Sequence, residues 1–455
     1  MPIQSKNPAT EEIIKTFDEL TDSELESKLV LAKEAFESWR TTTFDQRAML
    51  FMKLSEHLLS HRQELGRFAA IEMGKPITSS DRELEKSALT CEYFAENAER
   101  LLKPEPQDVN ATEAFVQFDP LGVILGVMPW NFPYWQVIRG AAPALMAGNV
   151  MVVKHASNVP QCAEAIEKAF IECGFPKGVY QNMLIGSSRV EKVIRDPRIA
   201  AITLTGSEKA GSEVAKVAGS EIKKCVLELG GSDPFIVLED ADLTLACEVG
   251  SASRLSSNAG QACNAAKRFI VHESVAEKFT KLLVESFRAQ KLGDPLDPTT
   301  TMGPLSGEQI LKDVERQVNE SVAQGAKLET GGKRWGSKGY FYEPTVLSQV
   351  KKGMPVFDEE VFGPAAAVIS FKDEAEAIAM ANDTPYGLGA TILTKDHAKA
   401  KKLAPLIEAG NVFVNTQMRS DPRMPFGGIK KSGLGRELGS YGIKEFVNIK
   451  TILIK

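Results

Sequence analysis

Four short segments of the chain carry side chains whose type and setting could do chemistry. Cys263 lies in Asn258-Ala259-Gly260-Gln261-Ala262-Cys263-Asn264, between a glycine-bearing loop and an apolar run. A thiolate there would be a nucleophile, provided its surroundings let it ionise. Read alone, a cysteine is more often a small buried hydrophobe. Glu228 lies in Leu227-Glu228-Leu229-Gly230-Gly231. An apolar setting raises a carboxyl's proton affinity toward neutrality, which suits a general base; the plainer reading is a strand-end carboxylate paired with a cation. In Pro129-Trp130-Asn131-Phe132-Pro133, two prolines and two aromatics would hold the Asn131 amide in place. A fixed amide N–H can stabilise an oxyanion, although the same segment also reads as a turn with a capping Asn. No GxGxxG follows a strand, but an apolar run ends in Thr205-Gly206-Ser207 ahead of a helical stretch. Gly206 permits close backbone approach and Ser207 can cap the helix, whose free N–H groups could face a phosphate. Alone, that motif is no more than a capped helix.

These segments need a frame. The 455 residues are enough for two or three domains. Residues 20–100 read as helix: Leu29, Ala32, Phe36 and Trp39 recur at helical spacing, and Leu50, Leu54 and Leu58 do so again. From residue 121 short apolar runs (121–127, 150–153, 200–205) alternate with helical stretches. That is the pattern of βαβ units and a parallel sheet. After Gly230 it restarts, with strands expected at 235–238, 269–272, 366–371, 390–393 and 412–415. Helices are expected at 275–290, 308–324 and 374–382. Two α/β units therefore join near residues 227–231. Residues 446–455 alternate apolar and polar and have no obvious local partner. They would pair with another subunit or form an edge of the same chain.

Composition excludes several classes. Lys plus Arg is 54 against 60 Asp plus Glu, a formal charge of −6, without the basic excess of a nucleic-acid binder. No run nears the ~18 apolar residues of a membrane span; the longest, 141–153, is broken by Gly148 and Asn149. The first twelve residues have no basic-then-apolar leader pattern. Six cysteines without a CxxC pair, and five scattered histidines, argue against a disulfide scaffold or a zinc site. A reducing, cytoplasmic setting is expected, with no metal, nucleic-acid or membrane partner.

The motifs also occur in one order: NPAT near the start, PWNFP at 129–133, LTGS at 204–207, LELGG at 227–231, GQAC at 260–263, EEVFGP at 359–364 and PFGGIKKSGLGRELG at 425–439. In this order and spacing the chain resembles the NAD(P)-dependent aldehyde dehydrogenase superfamily over nearly its whole length. The resemblance implies two open-sheet α/β domains plus a small β oligomerisation element. Residues 1–101 and 121–228 would bind cofactor, 229–430 would form the catalytic domain, and 102–120 with 431–455 would bridge subunits. Cys263 would attack the aldehyde, Asn131 and the Cys263 N–H would hold the oxyanion, and Glu228 would activate the hydrolytic water. Trp130, Gly206, Ser207, Leu229, Glu360 and Phe362 would contact the cofactor, and Phe426 would line the substrate tunnel. The terminal strand would pair across subunits, in a homodimer or a dimer of dimers.

Two details refine the implied reaction. Many relatives that prefer NAD carry Glu where this chain has Ser157. Ser157 removes a carboxylate that would repel a 2′-phosphate, and Lys154 adds a cation, so NADP is favoured with NAD as an alternative. Trp135 and Arg139 stand four residues apart on one helix face. An arginine facing the tunnel suggests an aldehyde with a distal carboxylate, as in the similar succinate-semialdehyde dehydrogenases, where Ser420 matches a second contact. Against this, Arg139 would be a surface ion pair, and Ser257 stands where some of those enzymes carry another arginine. Asn264, after the nucleophile, departs from the common pattern without explanation. The rival readings are a broad-specificity aldehyde dehydrogenase, an acylating CoA-dependent enzyme, which would usually lack Glu228, and a non-catalytic use of the fold. A cysteine hydrolase would need a histidine base, and the five histidines match no such signature.

Overall fold

The computed structural model describes residues 2–255 and 258–455, so Ser257 lies outside the described residues. A hairpin of β1 (Ile3–Lys6) and β2 (Ile13–Phe17) opens the chain. The helical stretch resolves into α1 (Asp22–Trp39), α2 (Phe44–Ser60), α3 (Arg62–Met73) and α4 (Ile77–Leu101). Capping boxes start the first two. Thr21 and Thr43 accept the N–H three residues on, and Glu24 and Gln46 return the bond to the threonine N–H. The apolar stripe Leu25, Leu29, Ala32, Phe36 and Trp39 is buried, as its spacing requires.

β3 (Glu105–Pro106) and β4 (Glu113–Pro120) precede the first parallel sheet. That sheet is built from β5 (Val123–Met128), α5 (Trp135–Met146), β6 (Val150–His155), α6 (Pro160–Glu172), β7 (Tyr180–Asn182), α7 (Val190–Arg195), β8 (Ile199–Thr205), α8 (Glu208–Ser220) and β9 (Lys224–Glu228). Its parallel strands lie in the order β9-β8-β5-β6-β7. The chain runs from β5 out to β7 on one side, then returns to lay β8 and β9 on the other. The crevice at the carboxyl ends of β5 and β8 is the switch point, where open α/β sheets bind ligands. PWNFP, Lys154, Thr205-Gly206-Ser207 and Glu228 all stand at those carboxyl ends.

The next strand belongs to a different sheet. β10 (Asp233–Val237), α9 (Leu243–Leu255), β11 (Ala266–His272), α10 (Glu273–Arg288), α11 (Glu308–Ala323), β12 (Lys327–Thr330), β13 (Thr345–Ser348), α12 (Pro355–Asp358), β14 (Ala365–Phe371), α13 (Glu374–Asn382), β15 (Gly389–Leu393), α14 (His397–Leu403) and β16 (Asn411–Val414) follow. Their strand order is β12-β13-β14-β11-β10-β15-β16, parallel except for β12 against β13. Each sheet has its own apolar core, one packed around residues 123–227 and the other around residues 235–407. β17 (Gly433–Leu434) then returns to pair antiparallel with β9, so this part of the 431–455 segment joins the first sheet. Gly433 (φ +148°) makes the approach, since a Cβ there would strike the Leu227 carbonyl.

α15 (Gly439–Ile443) and β18 (Val447–Ile454) end the chain. The terminal strand, expected to lack a local partner, has one. β18 pairs antiparallel with β4 along its length, from Val447 opposite Pro120 to Ile454 opposite Glu113. The expected pairing with another subunit is therefore corrected on this edge; the other edge of β18 is the outer edge of the β18-β4-β3 sheet.

Candidate active site

Left-handed turns at Ala259 (φ +50°) and Gly260 (φ +77°) bend the loop that carries Cys263. The Gln261 side chain stitches it, donating to the Asn258 carbonyl (2.9 Å) and accepting the Ser306 N–H (2.9 Å). Lys267 donates to the Cys263 carbonyl (2.6 Å) and the Ala262 carbonyl (3.1 Å). Withdrawal from water pushes the Cys263 thiol up to about 11. Arg139 and Lys267 pull it down, and Glu228 and Glu360 push it further up. The thiol rests protonated at neutral pH, so attack requires a nearby base for its proton. Asn264, unexplained by sequence, donates from Nδ2 to the Met418 carbonyl (3.2 Å). It ties the nucleophile loop to the loop before Ser420.

The PWNFP turn is clamped onto the same loop. Asn131 Nδ2 donates to the Gln261 carbonyl (3.0 Å), and Asn258 Nδ2 donates to the Asn131 carbonyl (3.0 Å). An amide has two N–H donors, and one remains for an oxyanion. Two residues that sequence reasoning missed fix this turn. Glu83, on α4, accepts the N–H groups of Tyr134 (2.8 Å) and Trp135 (2.9 Å), filling the open donors at the start of α5. Its other oxygen pairs with the buried Lys75 ammonium, which lies 3.9 Å from the Phe132 ring centre. His155 bonds through Nε2 to the Pro133 carbonyl (2.8 Å), while Nδ1 accepts the Ala156 N–H (2.8 Å). Burial pushes His155 down to about 4, so it stays neutral in that tautomer. The sequence signal for both was a buried polar residue in an apolar stretch, too common to single out.

Glu228 is buried at the end of β9, and neither carboxylate oxygen has a hydrogen-bond partner among the described residues. Burial and the neighbouring Glu437 raise its proton affinity far above the usual carboxylate range; Arg139 and Arg436 oppose them. Gly427 leaves the space, because a Cβ there would come within 2.6 Å of Glu228 Oε1. Arg139 differs from the expected surface pair or uncommitted substrate cation. It is 2% exposed, ion-paired through Nε with Glu437, and donates from Nη2 to Thr205 Oγ1 (3.0 Å). The Phe426 ring lies 5.4 Å from its guanidinium, and the Phe426 and Glu437 backbones exchange two 2.7 Å hydrogen bonds.

A cavity of about 310 Å³ reaches Cys263. Trp135 and Arg139 both line it, as their i, i+4 spacing required, together with Ser420, Phe426 and Lys86. Lys86 was not anticipated; one lysine on a charged helix gives no signal in sequence.

The sequence profile of the aldehyde dehydrogenase family matches residues 1–452. The chain belongs to this family. It is 50% identical over 454 residues to a probable NADP(+) succinate-semialdehyde dehydrogenase of Synechocystis sp., with both chains fully covered. It is 47% identical over 457 residues to NADP(+) succinate-semialdehyde dehydrogenase 1 of Mycobacterium tuberculosis, again over both whole chains. The succinic semialdehyde dehydrogenase of Streptococcus pyogenes, solved with NADP+, superposes with a TM-score of 0.97 at 39% identity, covering 99% of each chain.

The cofactor residues of this aldehyde dehydrogenase line up along the switch-point crevice. Ser207 caps α8 by accepting the Ala210 N–H (3.3 Å), and the Gly206 N–H donates to the Glu228 carbonyl (3.0 Å). Leu229 packs over Gly211, where a Cβ would come within 2.6 Å of it. Trp130 meets Phe362 edge-to-face at 5.7 Å. Glu360 is turned onto the LELGG loop, accepting the Gly231 N–H (3.0 Å) and pairing with Lys267 at 3.3 Å. Lys154 is 8% exposed and has no carboxylate within 4 Å among the described residues; Ser157, just beyond it, is exposed. Burial lowers the Lys154 proton affinity, with Glu19 opposing. An unpaired cation beside a hydroxyl fits a ribose carrying a 2′-phosphate. Among the described residues no cluster of His, Cys, Asp and Glu could hold a metal ion, and no helix is long and apolar enough to cross a membrane.

Proposed function

We propose that this enzyme oxidises succinic semialdehyde to succinate with NADP+ preferred over NAD+. The observation that carries the reading is the cavity ending at Cys263, whose wall holds Trp135, Arg139 and Ser420. Relatives bearing that name at 47–50% identity support it. Cys263 Sγ bonds to the aldehyde carbon while a nearby base takes the thiol proton. Asn131 Nδ2–H and the Cys263 N–H receive the negative oxygen of the thiohemiacetal. NADP+, when bound, supplies the hydride acceptor, held by Lys154, Ser157, Gly206, Ser207, Leu229, Glu360, Phe362 and Trp130. The thioester left on Cys263 is then hydrolysed by water whose proton goes to Glu228, releasing the acid and restoring the thiol. A carboxyl with raised proton affinity can take and return that proton near neutral pH.

The division of labour follows the sheets: residues 1–101 and 121–228 bind cofactor, 229–430 hold the nucleophile, and 102–120 with 431–455 bridge subunits in a homodimer or dimer of dimers. Six free cysteines suit a reducing, cytoplasmic setting. The test compares kcat/KM for succinic semialdehyde and butanal, each with NADP+ and NAD+. The expected result is a preference for the carboxylate substrate and for NADP+. Equal values for the two aldehydes would remove the carboxylate reading, and an NAD+ preference would remove the cofactor reading.

A further inference from the structure

The cavity holds a cation that the reaction above does not use. Lys86 projects from α4, partly buried, and donates from Nζ to Ser420 Oγ (2.7 Å). The Trp135 ring centre lies 4.1 Å from the same nitrogen. No carboxylate lies within 4 Å of it among the described residues. The acidic neighbours that favour its charge are already engaged. Glu83 serves Lys75 and the start of α5, and both oxygens of Asp421 bond Arg423 at 2.7–2.8 Å. Arg82, one turn earlier on α4, also lines the cavity and bonds Ser79 (3.1 Å).

Arg139 is the opposite case. Its guanidinium is bound to Glu437 and Thr205, and it bears on Glu228 and Cys263. Of the two cations, Lys86 has a neutral hydroxyl and an aromatic face but no counter-ion. Withdrawal from water and the Arg139 charge push its ammonium down to about 7. An anion entering the cavity supplies the missing counter-ion and stabilises the charged form.

We propose that Lys86 is a specificity-determining residue of this enzyme: its ammonium, aimed by Ser420 and Trp135, receives the distal carboxylate of the aldehyde, while Arg139 serves the Glu228–Glu437 network. This rests on the proposed carboxylate-bearing substrate. Ser420 then acts in two ways, orienting Lys86 and adding a hydroxyl beside the carboxylate.

The test measures the ratio of kcat/KM for succinic semialdehyde to that for butanal in the wild type, Lys86→Met and Lys86→Arg. A hydrogen bond to a charged group is worth roughly 10- to 100-fold, so Lys86→Met is expected to lower the ratio by about that factor, chiefly through KM. Lys86→Arg restores most of it, because any planar cation on the same stem answers the carboxylate. Lys86→Gln, which keeps a polar tip, serves if the methionine variant does not fold, and is expected to lose the ratio similarly. A wild type without preference for succinic semialdehyde overturns the substrate reading, and this proposal with it. A wild type with the preference, kept within about threefold in the methionine or glutamine variant, overturns the Lys86 assignment alone.

Discussion

At the residue scale, Glu228 is a buried carboxyl with no hydrogen-bond donor, set between one acid and two arginines. Its proton affinity is therefore set by Glu437 and Arg139 jointly, and Glu437→Gln tests this. Removing the Glu437 charge removes a term that raises Glu228, and it leaves Arg139 unpaired to lower Glu228 further. Both effects have one sign. Deacylation needs the deprotonated base, so the acidic limb of its pH profile is expected to move to lower pH. The same variant strands a buried guanidinium and should lose about 3–5 kcal/mol of unfolding free energy, read from a denaturant titration. Glu228→Gln should keep a single-turnover burst of NADPH but slow steady-state turnover by about 10²–10⁴-fold; Cys263→Ala should give no burst. Ser157→Glu places a carboxylate beside Lys154 and is expected to move the kcat/KM preference toward NAD+ by tenfold or more, read from initial rates with each cofactor. The catalytic candidates were legible because each lay in a short motif with an unusual local setting. Lys86, Glu83, His155 and Glu437 were not given roles, because their work depends on partners 50 to 350 residues away in sequence.

At the element scale, the site depends on how α4 meets the start of α5. Glu83 fills two open N–H donors of α5 and neutralises Lys75, so one carboxylate fixes the turn that carries Asn131. Glu83→Ala is expected to cost about 3–5 kcal/mol by leaving the ammonium unpaired and the helix end open. Lys75→Met together with Glu83→Ala should cost less than the sum of the two single changes, which a double-mutant cycle in urea measures. Additive costs would mean that the pair does not act as a unit. The parallel strands were readable because strands covered on both faces appear as unbroken apolar runs, and each falls within a few residues of its expected place. The hairpin β1–β2 and the strand β12 were missed. They are short and mostly exposed, so no apolar run marks them. The pairing of β18 with β4 was missed because register across more than 300 residues leaves no local trace.

At the scale of the whole molecule, β18 is the strand left over. β4 covers one of its edges, and the outer edge carries unpaired backbone groups beside Ile449 (61% exposed), Leu453 (51%) and Ile454 (47%). An open apolar strand edge is a template for association, and soluble proteins blunt such edges with charge or cover them. Here the flanking charge is Lys450, and it is paired with Asp119 on β4, so it does not guard the edge. The strand is also anchored to the first sheet. Asn149 donates to the Phe446 carbonyl (2.9 Å) and accepts the N–H groups of Leu121 (2.8 Å) and Gly122 (3.1 Å), where β5 begins. Covering β18 therefore stiffens the root of the strand that presents PWNFP. The double substitution Ile449→Lys, Leu453→Lys places two charges on one face of the strand, since alternate residues point the same way. It is expected to shift sedimentation velocity from a dimer or larger species to the monomer. If the oligomer holds the strand, the wild-type Tm should rise with protein concentration, whereas that of the variant should not. A variant that keeps the wild-type mass would mean that subunits meet elsewhere and that β18 ends the sheet in solvent.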